Sequence, residues 1–190
     1  VKNFIQFLKE DRDWFTALQS QKFKNSKQAK AWVEKNVPGA QKLDRGISDA
    51  VNRRATIYML SGVVIRISNT KDKAYEKFGH WVKGNGSKNF PKIHYHKTIS
   101  EGITITVLKR YQSLGTTTDT AKVLRQFTRQ LNSNPQVELD WLKKNNPSLR
   151  TAMRDVAQWA KSKKLNLDLG NINNYMQDEN GTVVIIDPVA

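Results

Sequence analysis

Apolar residues follow two different periods along the chain. Near the start, Phe4, Ile5, Phe7, Leu8, Trp14, Phe15 and Leu18 recur at helical spacing. The pattern predicts a second helix with Ser26 as its N-cap, carrying Ala29, Trp32 and Val33 and ending at Val37-Pro38-Gly39. The middle of the chain switches to alternation. Segments 51–54, 55–60 and 62–68 read as strands, 72–82 as a short helix, and 90–97 and 102–111 as strands again. Hairpin-joined strands with one inserted helix predict an α+β lobe rather than regular βαβ units.

Helical spacing returns after Gly115. One helix is expected from Thr118 and Asp119 to Leu131, and a shorter one over Val137–Leu142, closed by Asn145-Asn146-Pro147. A cleaner helix follows, capped by Ser148, with Leu149, Ala152, Met153, Val156, Trp159 and Ala160 as its buried stripe. From Leu165 to Pro188 turn formers dominate. Two short strands, around Asn174–Met176 and Thr182–Ile186, flank the turn Asp178-Glu179-Asn180-Gly181. The expected organisation is a helical extension over 1–40, a β-rich lobe over 41–115 and a helical lobe with a small hairpin over 116–190.

Composition narrows the partners. The 190 residues include 32 Lys or Arg against 17 Asp or Glu, a formal charge of +15. That balance favours nucleic acid or another acidic surface, although lysines also serve as solvated helix faces. No cysteine is present, which excludes disulfides and thiolate chemistry and fits a cytoplasmic setting. No apolar run approaches the roughly 18 residues of a membrane span, so no membrane partner is expected. His94 and His96 would share one side of a strand, but no further Cys or His supports a zinc site.

The candidate chemistry lies near the end of the chain. Asn173 follows Asp168 by five residues, and Asp187 ends an apolar strand fourteen residues later. A loop Asp can accept a proton from a hydroxyl. An Asn carbonyl and a second Asp are hard oxygen donors suited to magnesium on polyphosphate. The intervening hairpin would bring the three groups together. The same residue types also cap helices and make turns, so spacing leaves both readings open.

Asp168-Leu-Gly-Asn-Ile-Asn173 and Val183-Val-Ile-Ile-Asp-Pro188 resemble the catalytic loop and metal-binding segment of the protein-kinase-like fold. The likeness is to the early serine/threonine protein kinase of T7-like bacteriophages, and it extends over about Leu43 to Val189. The resemblance implies a two-lobed α+β fold with a β-rich N-lobe and a truncated helical C-lobe. It makes Asp168 the catalytic base and Asn173 and Asp187 the magnesium ligands beside ATP. It makes 43–51 the nucleotide-covering loop, with Gly46 under the phosphates and Val51 roofing the adenine. Arg66 stands where the family carries a phosphate-binding lysine, and Glu76 where a helix glutamate holds that cation.

Departures from the family pattern are as informative. Ser48 and Asp49 replace an aromatic residue and a glycine, and an arginine fork is not equivalent to a lysine. Asn166 and Gly170 replace a usual histidine and lysine. No activation segment is expected after Pro188. The resemblance therefore implies an ATP- and magnesium-dependent phosphotransferase that modifies a host protein in the host cytoplasm. The alternative is an inactive kinase-like protein that contacts nucleic acid or blocks a host enzyme.

Overall fold

A computed structural model describes residues 12–43, 55–114, 124 and 142–189. The chain divides into two compact units, one formed by 1–84 with 92–110 and the other by 85–91 with 111–190. Among the described residues, no helix is long and apolar enough to cross a membrane.

The first unit is built on a five-stranded antiparallel sheet of order β1-β2-β3-β5-β4, with β1 Gln41–Lys42, β2 Ala55–Met59, β3 Val63–Ser68, β4 Ile93–Ser100 and β5 Ile103–Lys109. Helix α1, Arg12–Ser20, and helix α2, Ser26–Asn36, pack on one face. Trp14, Leu18, Ala29 and Val33 meet Ile65, Ile67, Ile105 and Val107 there. Alternation along β3 explains the partition. Val63, Ile65 and Ile67 point to that apolar layer, whereas Arg66 turns to helix α3, Lys73–Lys83. One face is thus closed by hydrocarbon, and on the other buried polar sheet residues such as Arg66, Ser68 and Thr106 lie with the buried Tyr75, Phe78 and Val82 of α3.

Local chemistry sets the helix ends. Asn25, one residue before the expected Ser26, caps α2 by accepting from the Gln28 amide at 3.0 Å. Asp72 caps α3 in the same way through Tyr75 at 3.1 Å. The β4–β5 turn is clamped to this end. The Asp72 amide donates to the Gly102 carbonyl at 2.6 Å, and the Gly102 amide donates to Glu76 Oε2 at 2.7 Å. Gly102 has φ of +70°, and a Cβ there would stand 2.7 Å from the Asp72 nitrogen and 2.8 Å from Lys71 backbone carbon.

The second unit contains helix α4, Pro147–Ser162, and a three-stranded antiparallel sheet of order β6-β7-β8, with β6 Gln112–Ser113, β7 Tyr175–Gln177 and β8 Val183–Ile185. Leu149, Ala152, Met153, Val156, Trp159 and Ala160 are the buried stripe of α4, as the spacing predicts. Its cap is Asn146 rather than Ser148, which instead donates to the Asn146 side chain. Pro147 then occupies the first helical turn, where its missing N–H costs nothing. Residues 142–145 are helical, consistent with the end of the expected shorter helix. The expected strand over 51–54 and helix over 118–131 lie outside the described residues, apart from a helical Leu124.

Candidate phosphoryl-transfer site

The hairpin β7–β8 forms where the turn residues stand. The Asp178 amide donates to the Thr182 carbonyl at 3.0 Å, and Asp178 Oδ1 accepts from the amides of Asn180 and Thr182 at 2.9 and 2.8 Å. Beyond β8, two backbone bonds bracket Asp187. The Ile186 amide donates to the Asn174 carbonyl, and the Asp168 amide donates to the Pro188 carbonyl, at 2.8 and 2.7 Å. Leu167 and Val189 form an antiparallel bridge beside them. The backbone on either side of Asp187 is therefore tied to the loop that carries Asp168 and to the turn that carries Asn173.

Asp168 is held asymmetrically. Asn174 Nδ2 donates to its Oδ2 at 3.0 Å and to its backbone carbonyl at 2.7 Å, while Asn171 Nδ2 reaches Oδ2 at 3.4 Å. No hydrogen bond reaches Oδ1 from the described residues. One carboxylate oxygen is thus fixed by two asparagine side chains. Buried Tyr175 supports the loop by donating its hydroxyl to the Leu169 carbonyl at 2.7 Å. Burial, and then the Asp168 charge, push the Tyr175 phenol well above its ordinary pKa, so it remains a donor.

Asn173 is exposed on a single 3₁₀ turn, Ile172–Asn174, which Asn171 caps by accepting from the Asn173 amide at 3.1 Å. The site pattern selects Asn173. It passes over Asn174, which is buried and does the holding. Asn89 is equally absent from the sequence reading. It is 1% exposed, its carbonyl accepts from the Ile185 amide at 2.8 Å, and its side chain donates to the Val183 carbonyl at 2.7 Å. Asn89 thereby covers an edge of β8, the strand that leads to Asp187. A buried Asn far away in sequence gives no periodic signal.

In the first unit the expected ion pair is replaced. Arg66 Nη2 meets Asp72 Oδ2 at 3.0 Å, with both side chains buried, and its guanidinium carbon lies 3.4 Å from the Tyr75 ring centroid. Glu76 does not pair with Arg66. Its Oε1 accepts from the Thr98 hydroxyl at 2.6 Å, and its Oε2 accepts from the Gly102 amide. The reason is positional. Asp72 is a short carboxylate fixed at the helix N-terminus, whereas Glu76 is drawn to the β4–β5 turn. Arg66 Nη1 is buried without a partner among the described residues. Gly46 and Val51, the expected nucleotide contacts, lie outside the described residues.

The histidine pair also departs from simple alternation. A register shift between Ile93 and Tyr95 interrupts β4 at His94. His96 packs under α3, with Nδ1 2.8 Å from Thr106 Oγ1 and Nε2 3.1 Å from the Glu76 carbonyl. The carbonyl can only accept, so Nε2 carries the proton and Nδ1 accepts from Thr106. Burial, then the His80 charge, lower its pKa to about 4 and keep it neutral. No group of three or more His, Cys, Asp or Glu suited to a metal occurs among the described residues.

No family model and no curated protein matches the sequence. Among solved structures, the chain is similar to aminoglycoside phosphotransferases, which have a protein-kinase-like fold. One is the GDP and kanamycin complex of APH(2″)-IIia, at 14% identity and TM-score 0.38, covering 85% of this chain and 74% of that one. A second is the GDP complex of wild-type aminoglycoside 2′-phosphotransferase-IIIa, at 15% identity and TM-score 0.41, covering 87% and 74%. A third is APH(4)-Ia, at 18% identity and TM-score 0.41, covering 84% and 70%. The likeness is one of architecture and assigns neither activity nor substrate. The phage family rests on the sequence resemblance alone.

Proposed function

We propose that this chain is a kinase-like phosphotransferase that uses ATP and magnesium. The observation that supports it most is the bracketing of Asp187 by backbone bonds to Asp168 and Asn174. Two carboxylates and an Asn carbonyl on adjoining turns would supply hard-oxygen donors of the kind magnesium takes. Asn173 and Asp187 would hold the ion, whose chemistry is to neutralise charge on the nucleotide phosphates.

Asp168 is the base in this reading. An acceptor hydroxyl oxygen bonds to the γ-phosphorus as the bond from that phosphorus to the β–γ bridging oxygen breaks. ADP leaves, and the hydroxyl proton passes to Asp168 Oδ1. Asn171 and Asn174 keep Oδ2 fixed while this happens. The sequence resemblance points to a Ser or Thr of a host protein as the acceptor.

One observation favours a second reading, an inactive binding protein. Arg66 is committed to Asp72, and Glu76 is engaged elsewhere. Labelled phosphate transfer from ATP, with magnesium and with EDTA, separates the two. Magnesium-dependent transfer lost in Asp168→Asn supports the enzyme, and transfer unchanged in that variant contradicts the assigned base.

A further inference from the structure

Charge in the second unit is segregated along the chain. From Leu142 to Lys164 there are seven Lys or Arg residues against one carboxylate, Asp155. From Leu165 to Val189 there is no Lys, Arg or His, against Asp168, Asp178, Glu179 and Asp187. The candidate magnesium site lies wholly in the acidic stretch, so it makes no use of the basic one.

The helix itself arranges these cations. The apolar stripe of α4 is buried, which leaves the opposite side to solvent. Arg150, Arg154 and Lys161 stand at i, i+4 and i+11, within roughly 40° of one another around the axis. Asp155 lies about 100° from Arg154, on the other flank. Exposed Lys143 and Lys144 precede the helix, and exposed Lys163 and Lys164 follow it. The ridge runs the length of α4, about 24 Å.

We propose that this ridge is a docking surface for the phosphate backbone of nucleic acid. The side chains beside the cations are Gln158, an exposed hydrogen-bonding group, and Thr151, whose hydroxyl donates to the Pro147 carbonyl, and among the described residues no large apolar residue joins them. Such a face matches the polar, cationic character of nucleic-acid interfaces and the donors that contact phosphate. A membrane-surface helix would instead need its apolar stripe free, and here that stripe is buried. Three basic residues of the first unit are committed within the protein. Lys30 donates to Asn69, Lys97 to the Gln21 carbonyl and Arg110 to the Leu60 carbonyl.

The test is fluorescence anisotropy with labelled 20-nucleotide single strands and duplexes, from 50 to 200 mM salt. One variant neutralises the ridge by R154Q, K161Q, K163Q and K164Q together. A control removes the same charge from the first unit by K22Q, K24Q, K27Q and K35Q. Circular dichroism confirms that both variants remain folded. The ridge variant should lose at least tenfold in affinity, and its salt slope on duplex should shrink by up to about 3.6, as expected for four lost phosphate contacts at about 0.9 each. The control should lose less than threefold. Equal losses in the two variants would overturn the proposal, since diffuse charge would then suffice. No binding at 50 mM salt, or equal ridge-dependent binding to anionic vesicles, would overturn it too.

Discussion

Arg66 and Asp168 are held in place by different means. Arg66 is 7% exposed and sits between a sheet and a helix, paired with Asp72 and stacked on Tyr75. Asp168 stands on a half-buried loop, oriented by Asn171 and Asn174, three and six residues away. Desolvation dominates the first region, so a lost partner there leaves a stranded charge. Water still reaches the second, so a lost carboxylate there should cost little stability, and under the proposed function it should cost transfer. Substitutions in the two regions should therefore separate into effects on folding and effects on transfer.

The largest effect is expected at Asp168. Asp168→Asn keeps the shape and removes the base, and transfer should fall by about 10²–10⁴-fold, the usual contribution of a positioned base. Its denaturation midpoint should stay near that of the wild type. A joint loss of fold and activity would erase the distinction between the regions. Next comes Asp72→Asn, which leaves the Arg66 charge buried and should cost about 3–5 kcal/mol in urea denaturation. Glu76→Gln removes hydrogen bonds and should cost less, about 1–3 kcal/mol. The reverse order would mean that Glu76, not Asp72, is the partner of Arg66.

Smaller effects sharpen the same contrast. Gly102→Ala places a methyl group against the Lys71 and Asp72 backbone, at positive φ, and should destabilise by about 1–3 kcal/mol. Gly79→Ala would gain about 1 kcal/mol of helix propensity. Its methyl would stand 2.7 Å from His96 Nδ1 and 2.8 Å from Nε2, on a ring fixed by two hydrogen bonds, so a net loss is expected. The least effect near neutrality is that of pH. His94 and His96 have pKa values lowered to about 4 in the folded protein, mainly by burial. The unfolded chain takes up those protons near pH 6.5, so stability should fall as pH drops from about 6.5 to 4. His96→Gln should flatten that slope in denaturant midpoints measured across the range.

Sequence reading reached what local patterns control. The apolar stripe of α4, the period-two strands around Arg66 and the hairpin turn at Asp178–Gly181 all stand in the structure. Helix starts differ by one or two residues, because Asn and Ser compete for the same capping geometry at Asn25 and Asn146. The two-residue strands β1 and β6 are too short to carry a period. Partner choice was the least legible feature. Asp72 and Glu76 lie on the same short stretch, and only the β4–β5 turn, about 25 residues further on, decides which carboxylate is left for Arg66. Asn89 and Asn174 were hidden for a similar reason, since their roles depend on backbone brought near by folding.

Under the proposed function, the Asp187 hairpin would hold magnesium and nucleotide. Isothermal titration of wild type and Asp187→Ala with ATP, each with magnesium and with EDTA, tests it directly. The account predicts saturable, magnesium-dependent binding by the wild type and its loss in Asp187→Ala. Equal binding by both proteins, or none by the wild type, would contradict it.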